Sequence, residues 1–322
     1  MRLLTALLLA SVAAGQDTIP KAFTDPPTVR MDKYVLWHDP GNVETLDFRY
    51  GIGGQELAPK PPYKFVEQDN SGTTPKLKVR DAGGREWVIK FGHEARPDTF
   101  CTRMAWALGY YVEPEYFVPE GTIEGATKFV DKDGRFQNGR FQLRSREPKY
   151  VSVANWSWSD NPFLGTPEFN GLKILMMLLS NWDDKDARDY DRRGSNTAIY
   201  QQDDRLIFFI DDWGGAMGAW GKYFTRSKWN ARSFREQSAH FVELKDGSLH
   251  WGYTGQHTAL MMKDLKPGDV AWLMQYLGRI TDEQLMTGLV TSGATEEQAR
   301  DYMEGLRMRI DQLRHVANTA GM

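Results

Sequence analysis

The stretch "SNWDDKDARDYDRRGSNTAIY", Ser180 to Tyr200, follows directly on the apolar run "LKILMMLL" at 172–179. It sets Asp183, Asp184, Asp186, Asp189 and Asp191 behind a segment that reads as a buried helix from about Pro167 to Leu179. Such a run is a solvated loop, a calcium loop or an active site. As a solvated loop it would be neutralised by its own Lys185, Arg188, Arg192 and Arg193. A calcium loop starting at Asp189 brings Asp191 and Gly194 into register, but it places Arg193 where a ligand belongs and Tyr200 where the bidentate acid belongs. That reading fails. The active-site reading needs partners elsewhere in the chain.

The chain as a whole has room for such a site. Its 322 residues are 41% hydrophobic and 12% aromatic, enough for one large core or two lobes and far from a disordered composition. Forty basic residues against 43 acidic ones give a net charge of −3, so no basic face argues for a nucleic-acid partner. The start, "MRLLTALLLASVAAGQ", carries Arg2, an apolar core from Leu3 to Ala10 and the small residues Ala13, Ala14 and Gly15. It reads as a signal peptide over residues 1–15 and places the mature chain outside the cytosol, secreted or periplasmic. Past the leader, no stretch approaches the ~20 apolar residues of a membrane span. Cys101 is the single cysteine, which excludes an internal disulfide and a cysteine-based zinc cluster; within a helical pattern it reads as a packed small residue.

Residues 16–62, rich in Pro, Gly and Asp ("DPPT", "HDPGN", "YGIGG"), read as an irregular arm. Three β-rich runs come next, "YKFVEQD" and the two halves of "KLKVRDAGGREWVIKFG", whose "DAGG" signals a hairpin. "RPDTFCTRMAWALGY" reads as a helix, with Pro97 and Asp98 in its first turn and Gly109 near its end, and "EYFVPEG" as a further strand. Beyond the mixed stretch up to "KYVSV" stand the apolar helix, the acidic segment and the strand "RLIFFI", which ends in "DDWGG". The last third is mainly helical, with capping-box signatures "TDEQ" at Thr281 and "TEEQ" at Thr295.

Several chemistries lack their motif. The histidines, His250 and His257 among them, show no HExxH spacing, and neither a GxSxG elbow nor a GxxxxGK[ST] loop is present. What remains is an ordered constellation. Lys90 ends the strand "EWVIK", an acid opens the next helix, an Asp and an Asn flank a loop after a buried helix, and Asp212 opens "DWG" after "LIFFI". Phosphoryl transfer asks for these types: a lysine for nucleotide phosphates, an acid to orient it, an aspartate for the acceptor's proton, and an Asn–Asp pair for divalent metal. The order predicts an α+β, two-lobed protein-kinase-like fold. Its strand-rich N-lobe, with one helix, covers residues 63–150, and its mainly helical C-lobe covers residues 151–322.

"NWDDKD", the later Asn196 and "DDWGGAMG" resemble the catalytic loop and metal-binding Asp of atypical kinases. These are the HipA-like kinases, the phosphatidylinositol kinases and the secretory-pathway kinases of the casein-phosphorylating group. "VIKFGHEARPDTFCTRMAWALGYYVEPEYFVP" and "NWDDKD" also look like stretches of a family of secreted bacterial proteins. The resemblance covers about residues 60 to 220. It implies that Lys90 binds phosphate, that Asp98 replaces the usual helix glutamate, and that Asn196 and Asp212 hold Mg²⁺ or Mn²⁺. It implies ATP or another nucleotide as donor and a hydroxyl acceptor of unspecified class.

Two departures from the pattern matter. Catalytic Asp and metal Asn ordinarily lie five apart, an interval that Asp191 and Asn196 keep and Asp183 does not. Asp183 follows the apolar helix closely, however, as placement from a rigid element prefers, so Asp183 is favoured as the base and Asp191 kept beside it. The phosphate loop "QDNSGTTPK" offers one glycine, with Ser71, Gly72 and Thr73 as the nucleotide contacts the resemblance implies.

Each residue has a plainer reading. A strand-end lysine is usually a solvated cation, and Asp212 fits an ordinary turn. Trp156, Trp158, Trp182, Trp213, Trp220 and Trp229 would suit core packing or a carbohydrate or peptide groove. The rival to an enzyme is therefore a pseudokinase-type binding module, which keeps the cleft without the chemistry.

Overall fold

The computed structural model describes residues 31–69, 74, 76–143, 151–154, 156–183, 196–222, 224–255 and 258–320. The segment read as a signal peptide, with Ser71, Gly72, Thr73 and Asp191, lies outside the described residues. The fold is mixed α/β, with its strands concentrated in the first two thirds and its helices in the last.

Strands β2 (Tyr63–Asp69), β3 (Lys76–Arg80), β4 (Glu86–Phe91), β5 (Glu115–Glu124) and β6 (Arg135–Leu143) form a closed barrel in the order β2-β3-β4-β6-β5. The parallel pairing of Tyr63 with Ile123 closes it. Alternation sorts the faces: in β3, Leu77 and Val79 are buried while Arg80 is exposed. The interior holds Tyr63, Trp87, Ile89, Tyr116, Phe136 and Phe141. The "DAGG" turn joins β3 to β4 as expected, with Gly84 at φ +79°, a backbone glycine adopts without strain.

Helix α1 (Ala95–Ala107) packs against β5 and β6 and turns Phe100, Cys101 and Met104 into a second, larger core. That core gathers α2 (Pro167–Leu178), α3 (Ala231–Gln237), α4 (Thr258–Met262), α5 (Pro267–Leu277), α6 (Asp282–Thr291) and α7 (Glu296–Ala320). It also takes residues from a sheet ordered β1-β9-β8-β7, made of β1 (Tyr34–Val35), β7 (Val151–Ala154), β8 (Thr197–Gln202) and β9 (Arg205–Ile210). In α7, Ala299, Tyr302, Leu306, Ile310, Leu313 and Val316 recur every three or four residues and are fully buried, a stripe that fixes the long helix to this core. The capping boxes at Thr281 and Thr295 both form, the Thr oxygens accepting the amides of Gln284 and Gln298 and the Gln side chains accepting the Thr amides.

Three expectations differ from the fold. From Met31 on, the segment read as an irregular arm belongs to the large core: β1 pairs parallel with β9, and Val43 and Phe48 are buried. Its carbonyls find distant partners, Gln284 Nε2 donating to Val43 O at 2.8 Å and Leu46 O at 3.0 Å. Strand β6 lies within the mixed stretch, hidden because its last five residues are buried on both faces and no alternation survives. The last third also carries a two-stranded hairpin, β10 (Val242–Lys245) with β11 (Ser248–Trp251).

Candidate active site

The site begins with the pleat of β4. Trp87 and Ile89 enter the barrel interior, so Val88 and Lys90 take the outer face, beside Gln142 and Arg140 of β6 in register. Helix α1 covers that face and leaves Lys90 1% exposed, which removes the solvated-cation reading. Lys90 Nζ donates to Asp98 Oδ2 at 3.0 Å and to Asp212 Oδ1 and Oδ2 at 3.0 and 2.9 Å, and pairs with Glu94 Oε2 at 2.9 Å. Glu94 stands at the N-cap position of α1, its side chain making no capping hydrogen bond, and Asp98 sits in the first turn, where the helix dipole favours acids. Asp212 arrives from 122 positions away, just beyond strand β9, which is buried from Leu206 to Ile210.

The three acids are held differently. Asp98 is 2% exposed; its Oδ1 accepts the Trp213 amide at 2.8 Å, and Arg140 Nε lies 3.6 Å from Oδ2. Burial raises its carboxyl to about 6, against the opposing pull of Lys90. Asp212 has a one-third exposed side chain and accepts the Gly214 amide at 2.7 Å. Burial works against its charge, but Lys90 and that amide hold it down at about 2. Glu94 is likewise held at about 2: burial opposes its charge, while Lys90 and the Lys228 ammonium outweigh it. Burial alone would depress Lys90, yet Asp98, Asp212 and Glu94 keep its ammonium above the usual range.

A pH dependence follows for Glu94. Its folded pKa of about 2 lies below the usual ~4.3 of the unfolded chain, so the unfolded state binds more protons between the two values. The stability that Glu94 contributes is present above about pH 4.5 and lost as pH falls toward 2. In metal-free buffer, urea midpoints of the native protein should therefore fall more steeply across that window than those of Glu94→Gln.

Asp183 and Asn196 reach the same place by different routes. Asn196 is 8% exposed, and its carbonyl accepts the Asp211 amide at 2.7 Å and the Asp212 amide at 3.3 Å, so it stands beside Asp212 at the edge of the β8–β9 pair. Asp183 is carried by the end of α2, which is unusually well tied. Arg309, fully buried, donates to Leu178 O at 2.6 Å and Ser180 Oγ at 2.8 Å, and Tyr253 Oη donates to Asn181 O at 2.6 Å. Asn181 Oδ1 then accepts the Asp183 amide at 3.2 Å. Trp182 Nε1 donates to Ser227 O at 2.9 Å, and Arg226 stacks 3.9 Å above its ring.

Gly214 and Gly215 close the arrangement. A Cβ at Gly215 would lie 2.5 Å from Asp183 Cβ, and one at Gly214 would lie 2.9 Å from both Asp212 Oδ1 and Glu94 Cβ. The turn after Asp212 is thus wedged between Asp183 on one side and Glu94 on the other, which only glycine permits. Gly215→Ala is expected to displace Asp183, seen as a shift of the Trp182 fluorescence with less than about 3 kcal/mol lost in a urea melt.

The structure therefore gathers Lys90, Asp98, Asp183, Asn196 and Asp212 around one turn. Sequence reasoning missed Glu94 and Lys228, which add a second acid and a second base, and Thr74, whose hydroxyl donates to Glu94 Oε2 at 2.9 Å. The i, i+4 spacing of Lys90 and Glu94 was the available signal for the first; Lys228 left none. The groove reading of the tryptophans is corrected: all six are at most 7% exposed and belong to the core. His240, His250 and His315 line a separate cavity of about 680 Å³, but the described residues contain no group of three or more His, Cys, Asp or Glu arranged to hold a metal. No described helix is long and apolar enough to cross a membrane.

No family model matches the sequence, and no protein of curated function matches it. Among solved structures, the chain is similar to the Golgi casein kinase with Mn and ADP bound, at 12% identity over 81% of this chain and 73% of that one, with a TM-score of 0.44. A second structure of the Golgi casein kinase is similar at 12% identity over 83% and 76%, with a TM-score of 0.38. Likenesses this distant assign nothing, and the functional reading rests on the site.

Proposed function

We propose that the chain is a kinase-like phosphotransferase that moves the γ-phosphoryl group of ATP, or of another nucleotide, to a hydroxyl acceptor in a cleft between a barrel-based N-lobe and a helical C-lobe. The observation that carries this reading is the Lys90 ammonium, 1% exposed, joining the acids at the start of α1 to Asp212 beyond β9. A buried lysine so held is a positive charge already in place near where phosphate would arrive, with Asp98 and Glu94 to keep it there.

The donors present fit a hard cation. Asn196 and Asp212 are neighbours through the Asn196 backbone carbonyl, and their amide and carboxylate oxygens are of the hard type that would hold Mg²⁺ or Mn²⁺. When bound, the metal neutralises charge on the phosphate oxygens. Lys90 turns from Asp212 toward those oxygens while Asp98 and Glu94 keep it in place. Asp183, anchored through Asn181, takes the acceptor's proton as that oxygen bonds to the γ-phosphorus, and the bond to the bridging oxygen breaks to release the diphosphate. Asp191, at the usual interval from Asn196, is the other candidate for this role. Ser71, Gly72 and Thr73, next to the described Thr74, would cover the phosphates.

The second reading, a pseudokinase-type binding module, is favoured by one feature: both Asp212 oxygens are engaged by Lys90, so this carboxylate already has its partner without a nucleotide. A thermal-shift titration decides whether either reading stands. ATP with Mn²⁺ at 100 times its dissociation constant adds about 2.7 kcal/mol to the native state. A rise in Tm with ATP and Mn²⁺ together supports the cleft, turnover then separates enzyme from module, and an unchanged Tm contradicts both.

A further inference from the structure

A second charged feature lies on the far side of α1. Arg103 is five residues beyond Asp98, about 140° around the helix, and points away from Lys90. Its guanidinium is 3% exposed and stitches α1 to α6: Nη1 donates to Gly288 O at 3.0 Å, Thr291 Oγ1 at 2.7 Å and Ser292 Oγ at 2.9 Å. All of this engages one nitrogen. The buried Nε has no hydrogen-bond partner, and Asp47 and Glu115 act on the group without forming an ion pair with it among the described residues. A buried guanidinium with one edge unsatisfied, and with Asp47 and Glu115 acting on it only from beyond ion-pair distance, is costly unless something else supplies a closer acceptor.

That something has room. Arg103 lines a cavity of about 460 Å³ between the barrel, α1 and the end of α6, within the range of small-molecule sites. Arg49, exposed and in no ion pair among the described residues, stands on the same cavity. The remaining lining is aromatic and aliphatic, with Tyr63, Tyr116 and Val290 prominent, and includes no Asp or Glu. Two arginines on a cavity whose lining carries no acid, Asp47 standing behind them, match a ligand with an anionic head and an apolar body; the planar fork of arginine suits carboxylate and phosphate oxygens alike.

We propose that this cavity binds a small organic anion, a carboxylate or a phosphate monoester on an apolar body, with its head on Arg103 and Arg49 and its body against Tyr63, Tyr116 and Val290. The site is separate from the Lys90 cleft and does not depend on the phosphotransferase reading.

Titration calorimetry of the full chain with phenyl phosphate, benzoate and the neutral isostere benzamide tests it. The expected result is one site per chain for at least one of the two anions, with benzamide at least tenfold weaker. The anion that binds more tightly identifies the head group. Because Arg103→Met risks unfolding α1 from α6, the informative variants are R49A and V290E, both at exposed positions. V290E sets a carboxylate at the rim that competes for the arginines. Each should weaken the anion at least tenfold, while excess ATP with Mn²⁺ leaves its binding unchanged. No binding of either anion, equal affinity for benzamide, indifference to both variants, or displacement by ATP would each overturn the proposal.

Discussion

Replacing Lys90 by methionine is expected to cost about 3–5 kcal/mol of stability, the range for removing one partner of a buried ion pair. Lys90 is 1% exposed and is the shared partner of Asp98, Glu94 and Asp212. Without it three carboxylates face one another, and Asp98, at 2% exposure, retains the Trp213 amide and, as its one nearby cation among the described residues, Arg140 at 3.6 Å. The loss should therefore be recovered in part by Lys90→Met with Asp98→Asn, since the buried charge that was stranded is then neutral. Urea midpoints of the single and double variants measure both effects. A Lys90→Met chain as stable as the native protein would mean that the cluster is solvated in solution. One consequence is practical: this substitution is a poor probe of catalysis, because it removes fold and function together.

Asp183→Ala and Asp212→Ala separate them. Asp212→Ala leaves Lys90 paired with Asp98 and Glu94, so the fold should persist while affinity for ATP in the presence of Mn²⁺ falls by at least about 100-fold, beyond the loss seen for residues that only support a metal ligand. Asp183→Ala should leave nucleotide affinity near that of the native chain, because the base acts on the acceptor and not on the donor. It should lower transfer by about 10²–10⁴-fold. Calorimetry for binding and release of labelled phosphate for turnover check the pair. If neither variant changes either quantity, the constellation is structural. If Asp183→Ala transfers at the native rate, the base is Asp191.

Lys90, Asp98, Asp183 and Asp212 were legible because each stands at the boundary of a patterned element: the strand "EWVIK", a helix start with Pro97, the apolar run of α2, and "RLIFFI"; Asn196 came from the resemblance. Such boundaries are local, and local physics fixes them. Glu94 was passed over for Asp98 because α1 was read as starting later, at Arg96, whereas the helix opens just after Glu94, which reaches Lys90 from four residues away. Lys228 was not legible at all. It lies in an irregular segment and meets Glu94 across 134 positions, a contact set by how the chain packs and not by any spacing. The same holds for residues 34–48, whose β1 pairing and buried Val43 and Phe48 depend on β9 and α6 and leave no period in a Pro- and Gly-rich stretch.

The most direct test of the central claim is equilibrium dialysis of the purified chain against radiolabelled ATP at fixed Mn²⁺, with a parallel arm in EDTA. The account predicts one nucleotide retained per chain with Mn²⁺, little in EDTA, and little in either arm for Asp212→Ala. Retention that is equal with and without metal, or no retention with Mn²⁺, would contradict it.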